Sequence, residues 1–193
     1  MRDSLIYLSE TDVEELLPTA SEMVAAMESI FLSRANGNTI GKSKVGIYTG
    51  ESNFFFGLMA GSVDLGYAIC HNSMGGPPST SCQGRHHIQT IEILSDIKSA
   101  EPVAILDAHW LTTWLPACVT TVAARYLANP HSKTIGFIAS GATARATLSA
   151  LCALFPIERV IAYDSSQESL EIFLQHAATT GLSADSSDSP HEV

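Results

Sequence analysis

Apolar positions along the chain switch between helical and strand spacing several times, and those switches organise it. Ser9-Glu10-Thr11-Asp12 opens a helix, with Ser9 as N-cap and Asp12 placed to complete a capping-box-like pair. Val13, Leu16 and Leu17 form its apolar stripe, and Pro18 interrupts it. Met23, Val24, Met27, Ile30 and Phe31 recur at helical spacing and predict a second helix that ends in the loop from Arg34 to Asn38. The pattern then shortens. Val45-Gly46-Ile47-Tyr48, Phe54-Phe55-Phe56 and Tyr67-Ala68-Ile69 are strand candidates, and the Gly/Pro/Ser-rich run from Asn72 to Gly84 predicts a loop. Thr90–Leu94 and Val103–Asp107 read as two strands of an antiparallel hairpin. Leu111–Leu127 reads as a helix with Val119, Val122, Ala123 and Tyr126 inward, stopped by Asn129-Pro130.

The most informative stretch follows, from Thr134 to Asp164. Ile135–Ile138 is a short apolar run, Ala139-Ser140-Gly141-Ala142-Thr143-Ala144 a small-residue turn, and Ala144–Leu154 a helical pattern. Val160–Tyr163 is a second apolar run, and Asp164 ends it. This is the order of a dinucleotide-binding βαβ half. Small residues let backbone N–H groups approach a pyrophosphate, and the helix N-terminus adds partial positive charge. In a G-x-G-x-x-G/A pattern Ala139 takes the first glycine position, Gly141 the second and Ala144 the third. If the backbone needs a positive φ at the first position, Ala139 strains it. An ordinary strand–turn–helix without a nucleotide fits the same residues.

The fold class is therefore α/β. An α+β part over residues 1–130 precedes a partial Rossmann-like βαβ over 131–180, and the Ser/Asp-rich stretch 181–193 is expected to be a disordered tail. Hydrophobic residues make up 46% of the 193, enough for a core. The net charge of −10 and the lack of any Lys/Arg-rich run argue against nucleic-acid binding. No apolar run reaches membrane-span length and no signal-peptide core follows Met1, so a cytoplasmic location is expected. Cys70, Cys82, Cys118 and Cys152 match no zinc spacing and read as free thiols.

The order of segments resembles the ornithine cyclodeaminase/mu-crystallin family of NAD(P)-dependent enzymes. The resemblance rests on Leu8-Ser9-Glu10-Thr11-Asp12-Val13, Glu92–Asp96, Pro102–Ala108, Leu111-Thr112-Thr113, Ala123–Leu127 and Thr134–Gly141, and runs from residue 5 to about 178. It implies a substrate and dimerisation part followed by a Rossmann part. The implied activity is hydride transfer on a small amino or imino acid, of the ornithine cyclodeaminase or ketimine reductase type, in a homodimer. Departures accompany it. The family's substrate lysine falls on Ala68, its carboxylate-gripping arginine on Leu115, followed by Pro116, and its turn glutamine on Thr143. Leucine has no guanidinium fork. The family chain is also expected to be longer, with the remainder of the nucleotide domain and a proton-transfer aspartate. A shortened, catalytically inactive relative acting as a binding or oligomer-interface protein is thus the alternative, with NAD bound weakly or not at all by this chain alone.

The residues that could carry the chemistry are few. For substrate they are Lys44, which sits where the family carries a basic residue and for which Lys42 is an alternative occupant, and Thr112, which could equally be a helix cap. For cofactor they are Ala139, Ser140, Gly141, Ala142, Thr143 and Asp164. Asp164 would accept from the ribose diol and repel a 2′-phosphate, favouring NAD over NADP. No catalytic acid or base is assigned. His86-His87 have no Asp, Glu or His partner at ligand spacing in the sequence, so no metal is expected, and His109, at the end of a strand, could face a cleft but reads as a surface or satisfied polar group.

Overall fold

The computed structural model describes residues 5–50, 53–76 and 86–193. The chain divides into two compact units. The first comprises 1–17 and 29–112, the second 18–28 and 113–193. The boundary thus lies near Thr112, earlier than the junction expected close to residue 130.

In the first unit, Ser9 and Asp12 form the expected capping box on helix α1 (Glu10–Leu16). A seven-stranded sheet makes up the rest. Its strands are β1 (Ile6–Leu8), β2 (Thr39–Gly41), β3 (Val45–Thr49), β4 (Asn53–Ser62), β5 (Tyr67–Gly75), β6 (Ile88–Asp96) and β7 (Pro102–Asp107). The path runs β1-β7-β6-β5-β4-β2, with β3 also paired to β4. β4 to β7 form an antiparallel meander, and β1 lies parallel to β7. The expected hairpin between Thr90 and Asp107 is present. β5 runs on to Gly75, so Asn72–Gly75 are strand where a loop is expected from composition; residues 77–84 of that loop lie outside the described residues.

Helices α2 (Ala20–Ala35) and α3 (Leu111–Leu127) each cross the division between the units. In α3 the inward side chains are Ala117, Cys118, Thr121 and Val122. Of the four expected there, only Val122 is buried. Tyr126 is exposed, and its hydroxyl donates to Glu28, which also pairs with Arg125 at 2.7 Å. That partner gives Tyr126 a reason to face outward.

The second unit holds β8 (Thr134–Ile138), α4 (Ala142–Cys152), β9 (Arg159–Tyr163), α5 (Gln167–Thr179) and β10 (Ser183–Ser186). The three strands are parallel in the order β10-β9-β8. Leu148, Val160, Ala162, Leu170, Phe173 and Ala177 form its core, with Phe137 tilted against Phe173 at 5.1 Å. Burying a side chain like Phe173 contributes about 1.5–3 kcal/mol. The disorder expected for 181–193 is corrected at residues 183–186. Leu182 and Ala184 pack on the core, and Arg159 bonds Asp185 at 2.7 Å, so a polar strand is held at the sheet edge. With β10 in place, the unit has the third–second–first strand order of a whole mononucleotide-binding half.

Candidate functional site

The turn between β8 and α4 is shaped by its own residues. Ala139 adopts a left-handed backbone, φ +78°. Its N–H donates to the Tyr163 carbonyl at 2.8 Å, which ties the turn to the end of β9. A Cβ in that conformation costs about 1–2 kcal/mol, so the strain falls where the G-x-G pattern has its first glycine. Ser140 is fully buried, and its backbone N–H and hydroxyl both donate to Oδ2 of Asp164 at 2.7 Å.

Gly141 is the N-cap of α4, and no side chain caps the helix. A Cβ on Gly141 would meet nothing within 4 Å, and Ala142 and Thr143 are exposed. The first-turn N–H groups have no acceptor within the helix, and no acidic side chain stands among them. α5 is the opposite case: Ser166 caps it through the Ser169 N–H, and Glu168 sits in its first turn. Of the two helices, α4 is the one whose N-terminus suits an anion.

Asp164 also accepts the Ser166 N–H on Oδ1 at 2.8 Å. The Ser166 backbone N–H, then the Ser140 hydroxyl, then the Ser140 backbone N–H hold its carboxyl below the usual range. It is therefore ionised at neutral pH. A carboxylate offers about four lone-pair positions. The three bonds to Ser140 and Ser166 leave room on Oδ1 for a further donor such as a ribose hydroxyl.

The two substrate candidates lie in the first unit. Lys44 precedes β3, with Nζ 4.9 Å over the Phe56 ring. Phe56 stacks on Phe54 at 4.7 Å and meets Tyr48 edge-on at 5.7 Å. Gly46 and Gly75 make room for these rings, since a Cβ on either would come within 2.0 Å of a ring carbon. Thr112 donates its hydroxyl to the His109 carbonyl at 2.7 Å, as a helix cap does. No hydrogen bond or ion pair joins Lys44 to Thr112 among the described residues. Ala68 lies in β5 opposite Gly61 and Ser95. Leu115 is exposed in α3, with Pro116 inside the helix.

Two clusters escape sequence reasoning. In the sheet, Glu92 bonds His71 Nδ1 at 2.9 Å. His71 Nε2 meets Ser73 at 3.3 Å, and Ser73 meets Thr90 at 3.1 Å. Ser73, Thr90 and Glu92 are buried. The signal was the alternation of 71 with 73 and 90 with 92 on neighbouring strands, which only the register turns into a network. The second cluster joins Glu10, His86 and His109.

A family model described as the ornithine cyclodeaminase/mu-crystallin family matches residues 4–193. The chain belongs to the ornithine cyclodeaminase/mu-crystallin family. Among relatives of this family, a Delta(1)-pyrroline-2-carboxylate reductase of Bacillus cereus is 33% identical over 99 residues, which is 51% of this chain and 30% of that protein. Among solved structures, the Thermococcus litoralis Delta(1)-pyrroline-2-carboxylate reductase, in complex with NADH and L-proline, superposes with a TM-score of 0.89 at 24% identity, covering 97% of this chain and 58% of that one. An archaeal alanine dehydrogenase dimer with bound NAD superposes at 0.88 and 27% identity, covering 95% and 56%. The chain thus spans less than two thirds of each of these family proteins. The α/β fold with a Rossmann-like part expected from sequence is the fold of these neighbours.

Proposed function

We propose that the chain carries the nucleotide-binding half and the substrate sheet of an NAD-dependent oxidoreductase acting on a small amino or imino acid. The observation that supports this most is the turn itself. An uncapped helix N-terminus and an ionised acid at the end of β9 sit beside each other, bonded through Ser140. The α4 N–H groups would take the pyrophosphate and Asp164 the ribose diol. The nicotinamide supplies the hydride when bound. The 27%-identical alanine dehydrogenase carries NAD, which agrees with an acid at that position.

Affinity is expected to be weak. Asp164 Oδ2 is already occupied by Ser140, and Ala139 holds the turn under strain. Calorimetric titration with NADH tests the reading: saturable binding at micromolar or weaker affinity supports it. Oxidation of NADH in the presence of pyruvate with ammonia, or of a cyclic imino acid, tests the activity.

A second reading has its own observation. Ala68 and Leu115 stand where the family resemblance places a lysine and an arginine for the substrate carboxylate. A chain that binds NADH but turns over none of these substrates would be an inactive binding relative. Under either reading the chain assembles as a homodimer. Val45, Ile47, Phe55 and Met59 project from one sheet face and are 70%, 63%, 45% and 62% exposed. A face of that kind is better explained by a partner subunit than by water, and the archaeal neighbour is a dimer. Light scattering on the protein and on Phe55→Glu decides: a monomeric wild type at tens of micromolar overturns the dimer.

A further inference from the structure

We infer that Glu10, His86 and His109 form a binding site for a divalent transition ion of the zinc class. The three residues are remote in sequence; Glu10 and His86 are 76 positions apart. Glu10 opens α1, His86 stands just before β6, and His109 lies between β7 and α3. β6 pairs with β7, and α1 lies against β7. One ligand atom from each residue lies within 4.8 Å of the other two. His86 Nε2 is 2.7 Å from Glu10 Oε1, and the two imidazole rings lie 3.5 Å apart.

The donor chemistry is specific. Two imidazoles and one carboxylate are a three-ligand zinc set, which leaves a fourth position for water. Calcium and magnesium prefer oxygen-only sets. His109 is already oriented as a metal-bound histidine is. Its Nδ1 bonds the Ile88 carbonyl at 3.0 Å, and a nitrogen facing a carbonyl must carry the proton. Nε2 is thereby left with its lone pair. A backbone carbonyl holding the non-ligating nitrogen is the usual outer support of such a ligand. The Asp107 carboxylate accepts the His109 backbone N–H at 2.8 Å and fixes the residue further.

The rings are nearly parallel, 16° apart, so one must turn to aim its lone pair at a shared ion. A tetrahedral ion spaces its ligand atoms about 3.3 Å apart. Glu10 and His86 are exposed and free to make that adjustment, while His109 is held. The ion would then fasten the start of α1 to the segment entering β6.

Titration of the metal-free protein with Co²⁺, read by visible absorption, tests the site. One ion per chain, an intense band of a low-coordinate nitrogen/oxygen site, and displacement by Zn²⁺ are expected. Glu10→Gln and His86→Gln change exposed side chains and keep the fold, as circular dichroism verifies. Each should weaken Co²⁺ binding on the order of tenfold or more. His131→Gln and His191→Gln, at exposed histidines outside the cluster, should leave it unchanged. No band, or equal affinity in Glu10→Gln and His86→Gln, overturns the proposal.

Discussion

Two carboxylates, one in each unit, show how the same chemistry is put to different use. Glu92 is buried in the first sheet and turned toward His71, which is itself backed by Ser73 and Thr90. Its bonds are internal, and they hold strands β5 and β6 in register. Asp164 is half-exposed at the end of β9, and backbone and hydroxyl donors from Ser140 and Ser166 hold it. It keeps room for a donor from outside, beside a helix end that has no cap of its own. Polar groups in the sheet therefore satisfy each other, whereas polar groups at the turn remain available. That contrast supports the proposed nucleotide site at the turn of the second unit, and Ala68 adds no charge to the first sheet.

The largest expected effect comes from breaking the internal side of the contrast. His71→Phe leaves Glu92 buried without its partner and should cost about 3–5 kcal/mol. Urea unfolding of the variant reads this directly, and a loss under about 1 kcal/mol would mean that Glu92 reaches water. Next is an attempt to restore the two charges that the family resemblance places at Ala68, in the first unit, and Leu115, in the second. Ala68→Lys with Leu115→Arg should strengthen binding of small amino or imino acids by about 1.5–3 kcal/mol. Shifts in melting temperature with proline, ornithine and pyruvate measure it. No shift, with the fold intact, removes the carboxylate-site ancestry of these positions.

Two smaller effects concern the turn. Ala139→Gly relieves the left-handed Cβ and should stabilise the protein by about 1 kcal/mol. A thermal melt that falls instead would place the strain elsewhere. The last effect appears only in acid. The hydrogen bonds to Asp164 lower its carboxyl in the folded protein below its unfolded value. Its contribution is therefore complete above the ordinary carboxyl range and is lost as pH falls through the lowered folded value. Melting temperatures of the protein and of Asp164→Asn should differ at neutral pH and converge toward strong acid. Parallel curves would show that Asp164 adds nothing to the fold.

What the sequence revealed followed from how local each feature is. The capping box of Ser9 and Asp12, the hairpin of β6 and β7, and the order of β8, α4 and β9 rest on spacings within a few residues or on unbroken apolar runs. β10 is not legible in the sequence because Ser183–Ser186 is polar apart from Ala184, and its place depends on Leu182 reaching a core that the sequence does not display. The outward turn of Tyr126 in α3 is not legible in the sequence because Glu28, far away in the chain, supplies its partner. At the site, Asp164 and the small-residue turn were readable from the strand–turn–helix pattern. The grip of Ser140 on Asp164, the Glu92–His71 pair and the meeting of Glu10 with His86 were not, since each depends on register or on contacts between distant segments.

The most direct test of the central claim is a paired titration of the protein with NADH and NADPH. An ionised Asp164 beside the α4 N-terminus should give saturable NADH binding of micromolar or weaker affinity. NADPH should bind about tenfold or more weakly, because its 2′-phosphate meets that charge at close range. Equal affinities, tighter binding of NADPH, or no binding of either nucleotide by the folded protein would contradict the account.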